Sequence, residues 1–206
     1  MTSQKSNGPI RQPQRQRGHE RVASLLEAAT ACFVEKGYDA ATMTEIAARA
    51  GASIGSLYQF FPTKEALAQA LMVGYVETLQ LRLKKLAASS PGWDSDQLGT
   101  QLIRFLVGFR RRHPAFVVLA ESTAPLPAIR GMAIREHLRE ELQALLARHA
   151  PHQEPADLRA AAVVVLQLMK AAVALNAEPG LAGRRLAMNQ LQQALQLYLR
   201  AFFRPR

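Results

Sequence analysis

The run AAAVVVLQLMKAAVAL, residues 160–175, constrains the fold more than any other part of the chain. Wound at 3.6 residues per turn it is apolar nearly all the way round, and such a helix has no face suited to water. It needs neighbours on every side, which asks for a helical core and for further cover where that core ends. Pro155 stands where a helix start favours proline, so this helix is placed at roughly 156–177. The rest of the chain supplies partners of the same kind. Val22, Leu26, Ala29 and Phe33 recur at helical spacing before Gly37, and Leu67, Leu71, Tyr75, Leu79, Leu83 and Leu86 do so up to the break SSPGWDSD. Leu98, Leu102, Phe105, Leu106 and Phe109 follow from Asp94 or Ser95, then a short segment to about Glu121, then a helix with Ile129, Met132, Leu138, Leu142, Leu145 and Leu146. A last helix from about Arg184 to Phe203 carries Leu186, Leu191, Ala194, Leu195, Tyr198, Leu199 and Phe202. Strand-like alternation, internal repeats and Gly-rich phosphate loops are missing from the sequence, so an all-α fold is expected.

Composition bounds the function. With 49% hydrophobic residues in 206, the chain has ample material for a packed core. Its apolar runs are interrupted short of the about 20 residues that cross a bilayer, and the opening MTSQKSNGPIRQPQRQRG holds no apolar signal segment. A cytoplasmic protein with no membrane partner is expected. Cys32 is a single cysteine on an apolar helix face, read as a buried thiol, with a redox sensor as the alternative. The formal charge of +10 invites nucleic acid as a partner, because neutralised phosphates dominate nonspecific affinity. Its distribution is less pointed: residues 1–65 carry 8 Lys+Arg against 6 Asp+Glu, and residues 66–206 carry 18 against 10. Within the first part, Lys5, Arg11, Arg15, Arg17 and Arg21 crowd the N-terminal end, and residues 1–18 are too poor in large apolar groups to offset ordering entropy. They are read as a flexible basic arm.

Two short helices come next. Thr42 and Glu45 form a T-x-x-E capping box that starts a helix burying Ile46, Ala47 and Ala50 and stopping at Gly51. Ser53 caps a second short helix with Leu57 and Phe61 inside, Pro62 closes it, and Thr63 caps a long one. A helix pair of this size about a tight glycine turn has the dimensions of a helix-turn-helix. A helix entering the major groove needs small residues where backbone and groove walls approach, and hydroxyls or amides near phosphates and base edges. Gly55 and Ser56 permit approach, Ser53, Ser56, Tyr58 and Gln59 supply polar groups, and Lys64 opens the following helix, where ammonium and dipole both attract phosphate. Singly, these residues have plainer readings: Ser53 and Thr63 as caps, Gly55 as a packing accommodation, Tyr58 as a surface residue. A glycine inside a short helix nevertheless costs about 1 kcal/mol, which close approach to a partner would explain.

The stretch TMTEIAARAGASIGSLYQFFPTKEAL, within Val22 to Leu71, closely resembles the N-terminal domain of TetR-type transcriptional regulators, combining I-A-x-x-A-G, S-x-G-x-x-Y and F-P-x-K-E at fixed offsets. The resemblance implies a DNA-binding domain at 19–65 and a larger helical effector-binding and dimerisation domain at 66–206. Thr42 and Thr44 would lie at the DNA-facing start of the second helix, Ser53, Ile54, Gly55, Ser56, Tyr58 and Gln59 on the recognition helix, and Tyr58 and Lys64 would contact phosphate. Ala52 stands where such proteins often have valine, and Phe60 where a polar or aromatic residue is common. By analogy the arm would reach a minor groove; a solubility tail is the alternative. The implied partners are a double-stranded, roughly palindromic operator, a second copy of the chain and an unknown small-molecule effector; no cofactor is expected.

For the dimer the candidates are Val164, Leu168, Leu175, Leu191, Leu195 and Phe202, and for an effector pocket Trp93, Phe105, Phe109, Phe116, Met132 and Met169, each with core packing as the competing role. The rival classes find less support. His113, His137, His149 and His152 match no H-E-x-x-H pattern, although His149, His152 and Glu154 share a loop, and Ser53 and Ser56 lack a G-x-S-x-G elbow. No enzyme and no metal site are expected. Arg110 to Arg112 and Arg184 to Arg185 would suit an adaptor for acidic proteins, but solvated helix ends that complement the dipole account for them.

Overall fold

In the computed structural model, which describes residues 14–121 and 128–205, every regular element is an α-helix. They are α1 (Gln14–Ala40), α2 (Met43–Arg49), α3 (Ile54–Phe60), α4 (Lys64–Ser89), α5 (Ser95–Arg112), α6 (Pro114–Glu121), α7 (Ala128–His149), α8 (Pro155–Ala177) and α9 (Arg184–Phe202). The chain divides into two units, the first ending at Leu71 and the second beginning at Met72, within α4. Residues 14–18, assigned to the flexible arm from composition, are helical and belong to α1; residues 1–13 lie outside the described residues.

In the first unit Leu25, Ala29 and Phe33 of α1, Ile46 of α2, Leu57 of α3 and Leu67 of α4 are completely buried. Gly37, at φ 81°, breaks the helical path of α1 and leads the chain into Tyr38 to Ala41. The carbonyls left over at that break have a dedicated donor. Lys64 Nζ, on the first residue of α4, donates to the carbonyl oxygens of Tyr38 (2.9 Å), Asp39 (2.9 Å) and Ala41 (3.0 Å) and lies 4.6 Å from the Tyr38 ring centroid. An ammonium has three N–H donors, and all of them are engaged here. Tyr38 completes the joint by donating to Glu65 Oε1 at 3.3 Å; burial, with Glu65 second, pushes its phenol up to about 12.

The second unit has one core, built from α4, α5, α7, α8 and α9 around Phe109, Leu98, Leu102, Leu142, Leu145 and Val165. Asp94 and Gln97 cap α5 reciprocally, at 2.7 and 3.1 Å. Helix α8 packs on α5, α7 and α9 and buries Leu158, Ala161, Ala162, Val165, Leu166, Met169, Ala172 and Val173. By length and composition it is apolar enough to cross a bilayer, which the interrupted runs of the sequence did not suggest, yet this packing makes it a core helix with one face uncovered. Helices α5 and α9 are fixed in register by a polar seam. Gln196 Nε2 donates to Asp96 O (3.1 Å) and Thr100 Oγ1 (3.0 Å), Arg200 pairs with Asp96 (2.6 Å), and a Cβ at Gly99 would sit 3.0 Å from Gln196 Cγ.

Two expectations change here. Leu195 is 0% exposed in the protomer core, so it is not available to a second copy, whereas Phe202 is half-buried, as are Leu168, Leu175 and Leu191. The uncovered apolar groups on α8 and α9 are Val164, one of the dimer candidates, and Val163, Leu186 and Leu197, which were not among them, the last two 65% and 60% exposed. Arg184 does not complement its own helix: it opens α9, and its Nη2 donates to Glu178 O, beyond the C-terminus of α8, where a cation is favoured. Two outcomes follow for chemical denaturation. Leu195→Ala should cost about 2–5 kcal/mol. Lys64→Met, which removes three charged hydrogen bonds while keeping the stem, should cost about 1.5–3 kcal/mol, and wild-type stability in that variant would refute the clamp.

Candidate nucleic-acid interface

Helices α2 and α3 have 7 residues each, too short to stand alone, and their ends are held by specific bonds. Glu45 N donates to Thr42 Oγ1 and Thr42 N to Glu45 Oε2, both at 3.3 Å. At the other end Gly51, at φ 61°, adopts the left-handed backbone that closes a helix: Ala52 N donates to Ala47 O at 2.9 Å and Gly51 N to Ala48 O at 3.1 Å, the two bonds of a Schellman motif. Two carbonyls leave that turn without helical partners. Ser24 Oγ donates to Ala50 O at 3.3 Å and Arg21 Nη1 to Gly51 O at 3.4 Å, tying the turn to α1. Ser53 Oγ then accepts from Ser56 N at 3.1 Å and starts α3.

Helix α3 therefore has a fixed inner and outer face. Leu57 is buried, Ser56 half-buried, and Ile54, Gly55, Tyr58, Gln59 and Phe60 are exposed, Tyr58 by 50%. Thr42, Thr44 and Ser53 are exposed beside it. Among the described residues, nothing beyond the chain neighbours and the backbone of α3 itself lies within 4 Å of a Cβ built at Gly55, so packing among them does not require glycine there. The outer face combines two apolar groups, an open glycine and the polar ends of Tyr58 and Gln59, a mixture suited to base edges and thymine methyls.

The cations are sorted by the fold. Arg49 makes a two-pronged bond to Glu35 (2.7 and 2.5 Å) and approaches Cys32 Sγ at 3.7 Å, while Lys36 pairs with Glu45 at 2.6 Å. These partners hold the Glu35 and Glu45 carboxyls below their ordinary range, Arg49 being the largest influence on the first and Lys36 on the second. Lys64, expected at a phosphate, is engaged with three backbone carbonyls and has no donor left over. Of the basic crowd at the N-terminal end, Arg21 is held against the turn through one of its five donors and otherwise exposed, and Arg17 is also exposed on α1. Its signal in the sequence was that local basic cluster, which did not say which of its members faces the turn.

The pocket candidates do not converge on one place. Trp93 precedes α5 and Phe109 lies near its other end, and a helix of 18 residues is about 27 Å long. Phe109 and Met169 are buried in the core, Phe105 and Phe116 are half-buried against it, and the Met132 side chain lies outside the described residues. Of these, Phe109 and Phe116 meet, ring centroids 5.4 Å apart and edge to face. The histidines of the α7–α8 connection have structural partners: His149 Nε2 is 3.1 Å from Ser90 Oγ and its ring stacks on Phe203, and His152 Nε2 is 3.2 Å from Arg204 O. Among the described residues no group of His, Cys, Asp and Glu is arranged to hold a metal ion.

Comparison with known proteins agrees with this geometry. Residues 25–71 match the family model of bacterial regulatory proteins of the tetR family, and residues 96–199 match the tetracyclin repressor-like C-terminal domain. The HTH-type transcriptional repressor KstR2 of Mycobacterium tuberculosis is 38% identical over 72 residues, 35% of this chain and 36% of the relative. The HTH-type transcriptional activator FasR of Mycolicibacterium smegmatis is 48% identical over 60 residues, 29% of this chain and 27% of the relative. The matches thus span about a third of these relatives' length. Among solved structures, Salmonella enterica GusR superposes with a TM-score of 0.69 at 20% identity, covering 89% of this chain and 95% of that one. The regulator FadR from Bacillus subtilis, solved with stearoyl-CoA, gives 0.67 at 14% identity, covering 84% and 96%. With a capped helix-turn-helix in one unit and matching models over both its N-terminal and its C-terminal helices, the chain belongs to the TetR family of DNA-binding transcriptional regulators.

Proposed function

We propose that this regulator acts as a homodimeric, ligand-responsive repressor on a palindromic operator in the cytoplasm, with α3 as its reading helix. The observation that carries the reading is the outer face of α3, where Gly55 has open space and Ile54, Tyr58 and Gln59 flank it, exposed on an otherwise well-capped short helix. Thr42, Thr44 and Ser53 are assigned to the rim of the contact, with Ser56 carrying its cap bond inward. Arg21 takes the phosphate role first given to Lys64, and Lys64 becomes a positioning residue that keeps α4 against the end of α1.

Pairing of two protomers is supported by the uncovered apolar groups of α8 and α9, Val163, Val164, Leu186 and Leu197, with Leu168, Leu175 and Leu191 half-buried beside them. A two-fold dimer places its reading helices about 34–36 Å apart, one turn of duplex, and this spacing makes the operator a palindrome. Repression follows KstR2 among the relatives, whereas FasR is an activator, so the sign of control is the part an in vivo reporter decides. Release by an effector needs a ligand that binds the non-reading arrangement better, since a ligand shifts an equilibrium only through differential affinity.

A selection of genomic duplex fragments at several salt concentrations tests the assignment. Gly55→Ala separates folding from reading: it should stabilise the fold by about 0.5–1 kcal/mol and yet weaken binding to the selected duplex. Tyr58→Phe should weaken it by about 1 kcal/mol, roughly fivefold. Arg21→Ala should lower affinity across sequences and make the salt slope shallower by about 1, while Lys64→Met leaves the slope unchanged. A protein that selects no duplex at low salt, or a Gly55→Ala variant that binds as wild type, would sink the reading.

A further inference from the structure

The outer face of α3 is as informative for the side chains it lacks as for those it carries. Between Met43 and Phe60 the chain holds one basic residue, Arg49, and one acidic residue, Glu45. The fold engages both. Arg49 is pinned to α1 by its two-pronged bond to Glu35, and Glu45 is shared between Lys36 at 2.6 Å and the backbone N–H of Thr42 at 3.3 Å. Lys64, which opens α4, has all three N–H donors on backbone carbonyls. Arg21 stands on α1, tied to the turn at Gly51 O, where the reading above gives it a phosphate. Charged side chains are the ones that read G·C pairs best: Arg or Lys donates to guanine O6 and N7, and a carboxylate accepts from cytosine N4. The reading helix has neither to offer.

What α3 does present falls into two rows. At 100° per residue Gly55 and Gln59 lie one above the other across the helix from the buried Leu57, and Ile54 and Tyr58 form the row beside them. Gln59 is exposed and its amide has no hydrogen-bond partner among the described residues. One acceptor and two donors on a planar amide match the adenine edge, accepting from N6–H and donating to N7. Guanine shows two acceptors there, so the amide oxygen would face another oxygen or nitrogen lone pair. Ile54, 40% exposed, brings only hydrocarbon, which fits the C5-methyl of thymine and gains nothing from the bare edge of cytosine. A Cβ built at Gly55 meets nothing beyond its own helix, so a base edge can come close between these two side chains.

We propose that the part of the operator facing α3 is specified through A·T pairs, with Gln59 bonded to an adenine and Ile54 packed on a thymine methyl, and that G·C pairs are not selected there. This rests on the reading above that α3 enters the major groove, and it gives the half-site a chemical class. Gln59 and Ile54 set the sequence preference, while Arg21 adds affinity without it.

The test starts from the half-site obtained by duplex selection with the full-length protein and then changes single atoms of the DNA. Deoxyuridine in place of thymidine removes only the methyl group, and 7-deazadeoxyadenosine in place of deoxyadenosine removes only the N7 acceptor. At one thymine the first change should weaken binding about fourfold, and at one adenine the second should weaken it about tenfold. The methyl penalty should vanish in Ile54→Ala and the N7 penalty in Gln59→Ala, each variant melting as wild type because both side chains are exposed. A half-site whose sensitive positions are G·C pairs, a duplex that tolerates every such substitution, or a penalty that persists in its matching variant would overturn the inference and leave the regulator reading in place. A protein that selects no duplex would remove that reading, and this inference with it.

Discussion

The closure of the chain at Gly51 is the constraint on which the reading domain depends. Helices of 7 residues cannot persist by propensity, because nucleation costs more than so few hydrogen bonds return. They persist here because each end is terminated by a bond of known type: a capping box at Thr42, the Schellman pair across Ala47 to Ala52, and the hydroxyl of Ser53. The left-handed backbone at Gly51 makes the middle bond pair possible, and any side chain there would oppose it. Helix α1 then fastens the turn from outside through Ser24 and Arg21. Once the turn is set, the burial of Leu57 fixes which way α3 faces, and the exposure of Gly55 and Tyr58 follows from helical geometry.

Lys64 shows how a charge can be read in two ways. At the first residue of a helix, a lysine in a basic chain reads as a phosphate ligand. The break at Gly37 creates a competing demand, since the carbonyls of Tyr38, Asp39 and Ala41 leave helical register together and need donors. The same logic of local demand governs Arg49 and Lys36, which are paired with Glu35 and Glu45. What remains facing outward near the turn is Arg21, so the phosphate contact proposed for Lys64's place falls on the scaffold helix α1.

In the second unit one core answers the demand of the apolar run at 160–175, with α5, α7 and α9 covering one side of α8. The side with Val163 and Val164 stays open, as do Leu186 and Leu197 on α9. The aromatic cluster at His113 stands apart from that surface in kind: Phe109 is completely buried and meets Phe116 edge to face.

Period, caps and breakers determined the all-α class, the order of the helices, the helix-turn-helix at Gly51 and the capping roles of Thr42, Ser53 and Thr63, because these are properties of residues near one another in sequence. The start of α1 was misplaced for the same reason: helical continuity through Gln14 to Gly18 is not written in a polar composition. Tertiary structure alone decided how much of the apolar face of α9 the protomer buries, since Leu186 and Leu195 share that face in sequence, yet Leu195, where α5 and α8 pack on α9, is 0% exposed and Leu186 is 65% exposed. It also decided which cations stay available, because a lysine's partners across 23 to 26 positions of chain are set by how the helices pack and not by local spacing.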